Sequence, residues 1–394
     1  MKTGEIFIEV GSKQIQKYGN CVCGDIFLTK KVKEEQRTVT VLSDGLGSGV
    51  KANILASMTS SMALNFTLLN EPAERMADII VNTLPIDNVR KIGFASFTIV
   101  DVDSEGNTKI LEFGNPKAIV LRGSEKLLLQ RKEISFVNNS KINQRLYWSE
   151  FVAQKEDRII HFSDGVSQSG IGRKDMPFGW GHKVEDYIKQ VVRSDDTISA
   201  KEMVKRLVAQ AVQNDILRPQ DDITAAVMYF RKPRKMLVCT GPPYNEERDK
   251  VLAEKIRCFD GVKIICGGTT AMIVSRELKR PIEVDIFSGR KGLPPVSNMY
   301  GVDIVSEGIL TIGRIVSILQ DYNQSYVIED SPAGDIIKNF LLHDEIEFMV
   351  GTRVNEAHQD PTLPVELEIR RNVIKKIASI LEEKLLKKVK IQFV

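Results

Sequence analysis

The pattern of hydrophobic and polar positions over the first 230 residues predicts mostly strands, with helices grouped near the start and near the end of this region. Apolar and β-branched runs at 6–10, 21–28 and 38–42 have the length of strands. Apolar positions then recur with a helical period over 50–69, through Ile54, Met58 and Leu69, and again over 74–84. More strand-length runs follow, and helical segments at 184–192 and 199–213 precede a last strand at 223–229. This grouping predicts an α+β fold, a β-sandwich of antiparallel sheets flanked by helices.

The pattern changes after residue 235, where strands and helices alternate. Strand-length runs at 236–239, 262–266, 302–305 and 345–351 are separated by helical segments, and a long amphipathic helix is predicted over 365–388. Alternation of this kind predicts an α/β domain with a mostly parallel sheet. A basic stretch containing a proline, 231–235, separates the two patterns, so we predict one domain over 1–232 and an accessory sensor or partner-binding domain over 235–394.

Composition narrows the function classes. The 394 residues are 42% hydrophobic and 27% charged, as in globular proteins, and 55 Lys+Arg against 52 Asp+Glu leave a net charge of only +3. A charge this small argues against nucleic-acid binding driven by bulk charge. We expect no membrane span and a cytoplasmic protein, because no apolar run of 18 residues or signal-peptide start is found and the five cysteines are scattered.

Candidate chemistry comes from aspartates rather than histidines. The chain has only four histidines, so a polynuclear metal site must rest on carboxylates, which favour Mg²⁺, Mn²⁺ or Ca²⁺. Each of four short segments carries an aspartate at or beside a predicted strand end, where such residues can converge on two hard cations. The segments are Gly24-Asp25, Asp44-Gly45-Leu46-Gly47-Ser48-Gly49, Ser163-Asp164-Gly165 and Asp221-Asp222-Ile223-Thr224.

Together with Phe113-Gly114-Asn115-Pro116, these segments resemble the metal-dependent serine/threonine phosphatases of the type 2C (PPM) fold. The resemblance runs from about residue 25 to 229, and it is closest to the bacterial branch that includes SpoIIE, RsbU and RsbX. It implies a phosphoprotein phosphatase in which a water activated by two metals hydrolyses phosphoserine or phosphothreonine on a regulatory protein. A STAS-type anti-sigma-factor antagonist is the kind of substrate that this branch suggests.

The resemblance also implies roles for individual residues around two Mn²⁺ or Mg²⁺ ions. Asp44 would bridge both ions, the Gly45 carbonyl and Asp164 would complete the second site, and Asp221 and Asp25 would serve the first. Three further residues, Asp222, Ser163 and Thr224, would support these ligands. Eukaryotic relatives carry a histidine where this chain has Leu46, so the group that protonates the leaving alkoxide stays open. Bound water is one candidate, and we interpret nearby His161 as a packed structural residue.

Several alternatives stay open at this level. Arg173 and Lys174, in the glycine-rich segment 167–181, either meet substrate or belong to a solvated loop. The helix over 50–69 is either a switch that completes the metal site or a partly exposed helix. A ligand-sensing regulatory module with little activity, or a phosphatase of a small phosphoester, is the alternative to a protein phosphatase.

The second part carries one further candidate site. Gly267-Gly268-Thr269-Thr270 reads as a strand end, a glycine turn and a helix start, which predicts either an anion site or tight packing. The apolar stripe of the final helix predicts either core packing or the face of a homodimer. Its members are Leu367, Ile374, Ile377, Leu381 and Leu385.

Overall fold

The structure is a computed structural model, and it describes residues 6–32, 34–83, 95–134, 145–284, 297–322, 326–353, 363–385 and 387–394. The chain divides into two compact units, Met1–Lys232 and Pro233–Val394. Strands and helices occur in both units, which confirms the predicted mixed α+β character. No helix in the described ranges is long and apolar enough to cross a membrane.

The first unit contains two antiparallel sheets. One has the strand order β1-β11-β10-β6-β7 and the other has the order β2-β3-β4-β5-β9-β8. The strands are β1 (Phe7–Ile15), β2 (Asp25–Val32), β3 (Arg37–Gly45), β4 (Ala95–Val102), β5 (Asn107–Phe113), β6 (Ile119–Arg122), β7 (Glu125–Lys126), β8 (Lys132–Ile134), β9 (Leu146–Val152), β10 (Asp157–Phe162) and β11 (Ile223–Arg231). The helices are α1 (Val50–Leu68), α2 (Ala73–Thr83), α3 (Asp164–Ser167), α4 (Lys183–Ser194) and α5 (Ala200–Asn214).

These elements form four layers around three buried clusters. Val100, Val120 and Met228 belong to the cluster between the two sheets, because alternate side chains of each strand point inward. Side chains of α4 and α5 cover the outer face of the five-stranded sheet, and α1 and α2 cover that of the six-stranded sheet. The layers agree with the sandwich that the sequence predicts, and they leave the strand ends at the rim of the sandwich.

Helix α1 packs by a different face from the one that its large apolar residues suggest. Ile54 and Met58 of α1 are exposed, as is Leu69 just after it, and the fully buried side of α1 consists of small residues. Other large apolar side chains of the helix are only partly buried against the cluster. The reason is a close approach of backbones, since a Cβ on Gly45 would lie 2.0 Å from the carbonyl oxygen of Ala52. Only a helix with small side chains on that face can come so near to β3. The buried residues are Ala52, Ala56, Thr59, Ser60 and Ala63.

Two strand predictions in this unit need correction. The predicted strand 21–28 begins only at Asp25, because the chain bends over the preceding residues and leaves Cys21 exposed. Strand β9 was not predicted, although it contains several aromatic residues and pairs with β5 along seven positions. Trp148 is one of these, and it packs at the margin of the cluster that α1 and α2 cover. The pairing partner, and not local alternation, makes this segment a strand.

The second unit is one seven-stranded sheet with the strand order β14-β15-β16-β13-β12-β17-β18. The pairs β12/β13, β13/β16, β12/β17 and β17/β18 are parallel, and the two pairs at the β14 edge are antiparallel. The strands are β12 (Lys235–Thr240), β13 (Val262–Cys266), β14 (Ile282–Val284), β15 (Ser297–Met299), β16 (Val302–Ser306), β17 (Glu345–Val350) and β18 (Lys388–Phe393). The helices are α6 (Asp249–Cys258), α7 (Gly268–Leu278), α8 (Ile309–Asp321), α9 (Pro332–Leu342) and α10 (Leu363–Glu383).

Helices cover both faces of this sheet. Met236 and Val238 of β12 pack against α8, α9 and α10, while Leu237 and Cys239 of the same strand pack against α6 and α7. The five parallel strands, taken in chain order, therefore lie 3-2-1-4-5 across the sheet. In open sheets of this kind, ligands bind outside the carboxyl ends of the strands.

The end of the chain differs from the predicted helix 365–388. Helix α10 ends at Glu383, and the alternating sequence from Lys388 forms β18, which pairs in parallel with β17. Of the predicted stripe, Ile374, Ile377 and Leu381 are buried in the unit's own core, so they offer no homodimer face. Leu385 is partly buried beside them, and the side chain of Leu367 lies outside the described residues.

Candidate functional site

Strand pairing brings the predicted aspartates to one edge of the sandwich. In the six-stranded sheet Asp25 pairs directly with Asp44 across β2 and β3. In the other sheet Asp164 follows β10, and Asp221 and Asp222 precede β11, its neighbour. The carboxyl groups of Asp44 and Asp164 lie within hydrogen-bonding reach, which joins the two sheets. We call these five aspartates the acid edge.

Two glycines permit this convergence by letting backbones approach each other. A Cβ on Gly165 would lie 2.1 Å from the carbonyl oxygen of Asp222. Gly45 lies equally close to the backbone of α1 at Ala52, as described above, and its N–H donates to the Gly24 carbonyl. A larger residue at position 45 would push β3 away from α1, and one at position 165 would push the chain away from Asp222. Both glycines are therefore needed for the aspartates to come together.

A set of hydrogen bonds holds the acid edge from behind. Ser163 Oγ accepts the N–H of Thr224 at 3.0 Å, and the N–H of Ser163 donates to the Thr224 carbonyl at 2.9 Å. These bonds fix the end of β10 to the start of β11. Asp222 accepts the N–H of Lys17 at 2.9 Å through Oδ1, and its N–H donates to Asp221 Oδ1 at 2.9 Å.

Two contributors were missing from the sequence prediction. Gln168 Nε2 donates to Asp164 Oδ2 at 2.9 Å, and the four-residue spacing on one helical turn was a usable indication of that contact. Lys17 contributes only its backbone N–H, 205 residues away from Asp222 in sequence, so nothing in the chain marks it.

The acid edge is electrostatically frustrated. Both carboxylate oxygens of Asp25 are buried without a hydrogen-bond partner. Burial raises the pKa of Asp25 to about 7; the nearby hydroxyls of Thr224 and Ser163 act to lower it, and the charges of Asp222 and Asp164 raise it further. Burial, followed by the charges of Asp25, Asp164 and Asp221, holds the pKa of Asp44 well above its usual range. Burial also raises the pKa values of Asp164 and Asp221, so the whole group favours bound positive charge.

The donor atoms fit hard cations. They are carboxylate and carbonyl oxygens, the ligands of Mg²⁺ and Mn²⁺, and the unpartnered oxygens of Asp25 are available for one more interaction. As the side chains stand, however, no three His, Cys, Asp or Glu residues in the described part of the chain are grouped tightly enough to hold an ion. The aspartates are neighbours, and their metal roles stay a prediction.

Other predicted residues lie elsewhere. The guanidinium of Arg173 binds Asp175 at 3.0 and 2.9 Å and donates to the Asn214 carbonyl at 2.9 Å, so it is committed to its own loop and to the end of α5. Lys174 is exposed in that loop. The four residues from Gly267 to Thr270 lie in the second unit, at the carboxyl end of β13.

His161 is a packed residue and not an acid. It is fully buried, its ring lies 6.1 Å from the ring of Phe27 in the opposite sheet, and neither ring nitrogen has a hydrogen-bond partner. Burial lowers the pKa of His161 to about 4, so the ring is neutral near pH 7. Asn115, from the predicted Phe-Gly-Asn-Pro motif, is also buried and donates to the Leu42 carbonyl at 3.4 Å, two residues before Asp44.

A family model described as stage II sporulation protein E (SpoIIE) matches residues 34–231. The chain belongs to the SpoIIE family. The match confirms the predicted resemblance and supports the predicted enzyme class, a phosphoprotein phosphatase. It includes every residue of the acid edge except Asp25, which lies nine residues before it. No curated protein matches the chain.

Solved structures similar to this SpoIIE-family chain include bacterial phosphatases. The phosphatase domain of Bacillus subtilis SpoIIE with a fragment of its regulatory domain is 17% identical, with a TM-score of 0.47, over 58% of this chain and 65% of that one. RsbX in complex with magnesium is 18% identical, with a TM-score of 0.41, over 57% and 95%. The catalytic domain of PstP with two manganese ions is 12% identical, with a TM-score of 0.39, over 58% and 100%.

Proposed function

We propose that this chain is a metal-dependent protein serine/threonine phosphatase that removes phosphate from a regulatory phosphoprotein. The convergence of four separate chain segments on the acid edge is the observation that carries the proposal. Aspartates that served only as turn residues would have no reason to meet with buried, unpartnered oxygens. Membership of the SpoIIE family supports the same reaction class.

Two Mn²⁺ or Mg²⁺ ions would be held by Asp44, Asp164, the Gly45 carbonyl, Asp221 and Asp25. When bound, such ions supply a water of low pKa and neutralise the oxygens of a phosphate monoester. Other residues of the chain would position these ligands. Gln168 orients Asp164, and the Ser163–Thr224 bonds keep the two loops in register. With Leu46 in the glycine motif and His161 buried, solvent water is left to protonate the leaving alkoxide.

Activity with Mn²⁺ gives the direct test. Asp44→Asn and Asp164→Asn should each lower hydrolysis of p-nitrophenyl phosphate by at least about 10³-fold, because charge stabilisation of the phosphoryl group depends on the metals. Asp103→Asn is the matched control. Asp103 lies in the turn after β4, whereas Asp44 pairs with the start of that strand, so the control is at the end away from the acid edge. An Asn there can still accept the backbone N–H groups of Glu105 and Asn107. Activity that persists in both acid-edge variants would refute the proposal.

The substrate class needs a separate comparison. We propose a phosphoprotein, and a phosphorylated STAS-type anti-sigma-factor antagonist is the first substrate to try. Its dephosphorylation should exceed that of phosphoserine and other small phosphoesters in kcat/KM. Faster turnover of a small phosphoester would select the alternative substrate class, and full metal binding with negligible turnover of every substrate would select a regulatory module.

A further inference from the structure

The start of two helices in the second unit forms a small site that the phosphatase reaction does not use. Helix α7 begins at Gly268 and α8 begins at Gly308-Ile309, after the neighbouring parallel strands β13 and β16. The two helices pack on opposite faces of the sheet, yet their starting turns meet, since a Cβ on Gly308 would lie 3.4 Å from the Cα of Gly267. We call Gly267, Gly268, Thr270 and Gly308 the glycine edge.

Backbone N–H groups at these two starts need partners that the helices cannot supply. The first turn of any helix has N–H groups without an intrahelical acceptor. In the described part of the chain no side chain caps either α7 or α8, and neither helix has an acidic residue in its first turn. The positive ends of two helix dipoles therefore face the same place.

A buried hydroxyl is the second, independent observation. Thr270 is 1% exposed, and its Oγ1 has no hydrogen-bond partner. Helical side chains lean toward the helix N-terminus, and this Oγ1 lies 3.5 Å from the position of a Cβ on Gly267, within the first turn. A buried hydroxyl without a partner is costly, and an anion at the helix start would accept its hydrogen.

The glycines leave room for such an anion. Gly267 has φ of 130°, a conformation that only glycine adopts readily, and a Cβ on Gly268 would meet nothing within 4 Å. Open space at the first helical residue lets a ligand approach the backbone N–H groups. The site also lies outside the carboxyl ends of the parallel strands β13 and β16, which is the end of an open sheet where ligands bind, although the strand order itself reverses between β12 and β17.

We propose that the glycine edge binds the phosphate group of a small molecule, so that the second unit is a ligand-binding domain. The N–H groups of the first turns of α7 and α8 would surround the phosphate oxygens, and Thr270 would donate its hydroxyl. This inference rests on residues of the second unit alone, so it does not depend on the phosphatase proposal.

The test uses the full chain carrying Asp44→Asn, in EDTA, to remove phosphate binding at the acid edge. Inorganic phosphate and ADP are titrated by calorimetry at constant ionic strength. Thr270→Val keeps the side-chain shape and should weaken binding of both probes about tenfold. Gly268→Asp puts a carboxylate at the helix start and should abolish binding while raising the melting temperature. Ser275→Ala is the control, because this hydroxyl of α7 donates to the Arg280 carbonyl, away from the site.

Three results would overturn the proposal. One is no binding of either probe to the parent chain, and another is binding that Thr270→Val and Gly268→Asp leave unchanged. The third result concerns the class of ligand. If a phosphoserine peptide binds more tightly than phosphate and ADP, and if Thr270→Val and Gly268→Asp weaken that binding, the site would be reassigned to a macromolecular partner. Tighter binding of ADP than of inorganic phosphate would support a nucleotide among small ligands.

Discussion

The acid edge of the first unit and the glycine edge of the second both form where strands end, yet they present opposite charge to a ligand. The acid edge gathers side-chain carboxylates, which repel one another once buried. The glycine edge gathers backbone N–H groups and one hydroxyl. An antiparallel sandwich brings strand ends of two sheets together, whereas parallel strands lead into helix N-termini at one edge of a sheet. The sign of the acid edge therefore comes from its side chains, whereas the sign of the glycine edge comes from the backbone of two helix starts.

The two edges also use glycine differently, and this difference gives the largest effect expected from comparing them. Gly165→Ala should lower Mn²⁺-dependent activity by at least about 100-fold, because its Cβ would displace the Asp222 backbone and separate the predicted metal ligands. Gly268→Ala, where the Cβ meets open space, should leave phosphatase activity unchanged and change the free energy of unfolding by no more than about 1 kcal/mol. Equal activity of the two variants would show that close approach does not shape the acid edge.

A second prediction concerns how the stability of the protein changes with pH, and it separates the effect of His161 inside the sandwich from the effect of the acid edge. Buried His161 has a folded pKa of about 4 against an ordinary value of 6.5, so the unfolded chain takes up a proton first as the pH falls. Its contribution to stability is complete above pH 6.5 and is lost on acidification toward pH 4, by about 3 kcal/mol in total. Chemical denaturation across this range should show a shallower decline for His161→Leu.

The control for that series is His182→Gln, since His182 is exposed before α4 and should leave the decline unchanged. Carboxylates of the acid edge act with the opposite sign. The pKa values of Asp25, Asp44, Asp164 and Asp221 are raised, so the metal-free protein should gain stability from these four on acidification. A decline that is equally steep with and without His161 would contradict its assignment as a neutral buried ring.

The smallest predicted effect concerns the unpartnered charge of the acid edge. In EDTA at pH 8, Asp25→Asn should raise the free energy of unfolding by roughly 1–3 kcal/mol, because it removes a buried carboxylate that lacks a hydrogen bond. In saturating Mn²⁺ the same variant should gain less metal-induced thermal stabilisation than the parent chain. Asp103→Asn should change neither quantity. Destabilisation of the metal-free protein by Asp25→Asn would mean that this carboxylate is satisfied without metal.

The sequence alone determined the layered sandwich, the alternating second unit and the aspartate segments. Strand and helix periods are local properties. The Asp-Gly segments can be recognised in the sequence because the glycine permits a turn directly beside an aspartate that can bind metal. The same reasoning did not show that α1 buries a face of small residues, and it continued the last helix to 388 without predicting β18. Local patterns give the period of an element, but they do not say which neighbour it will meet.

Only the tertiary structure decided which residues meet. The pairing of Asp25 with Asp44, the support that Lys17 gives to Asp222, and the contact of Gly267 with Gly308 all join segments that are distant in sequence. Such contacts depend on strand register and on how closely backbones can approach, and neither leaves a local pattern. The sequence therefore supplied the chemical groups, and the packing of sheets and helices determined which of them share a site.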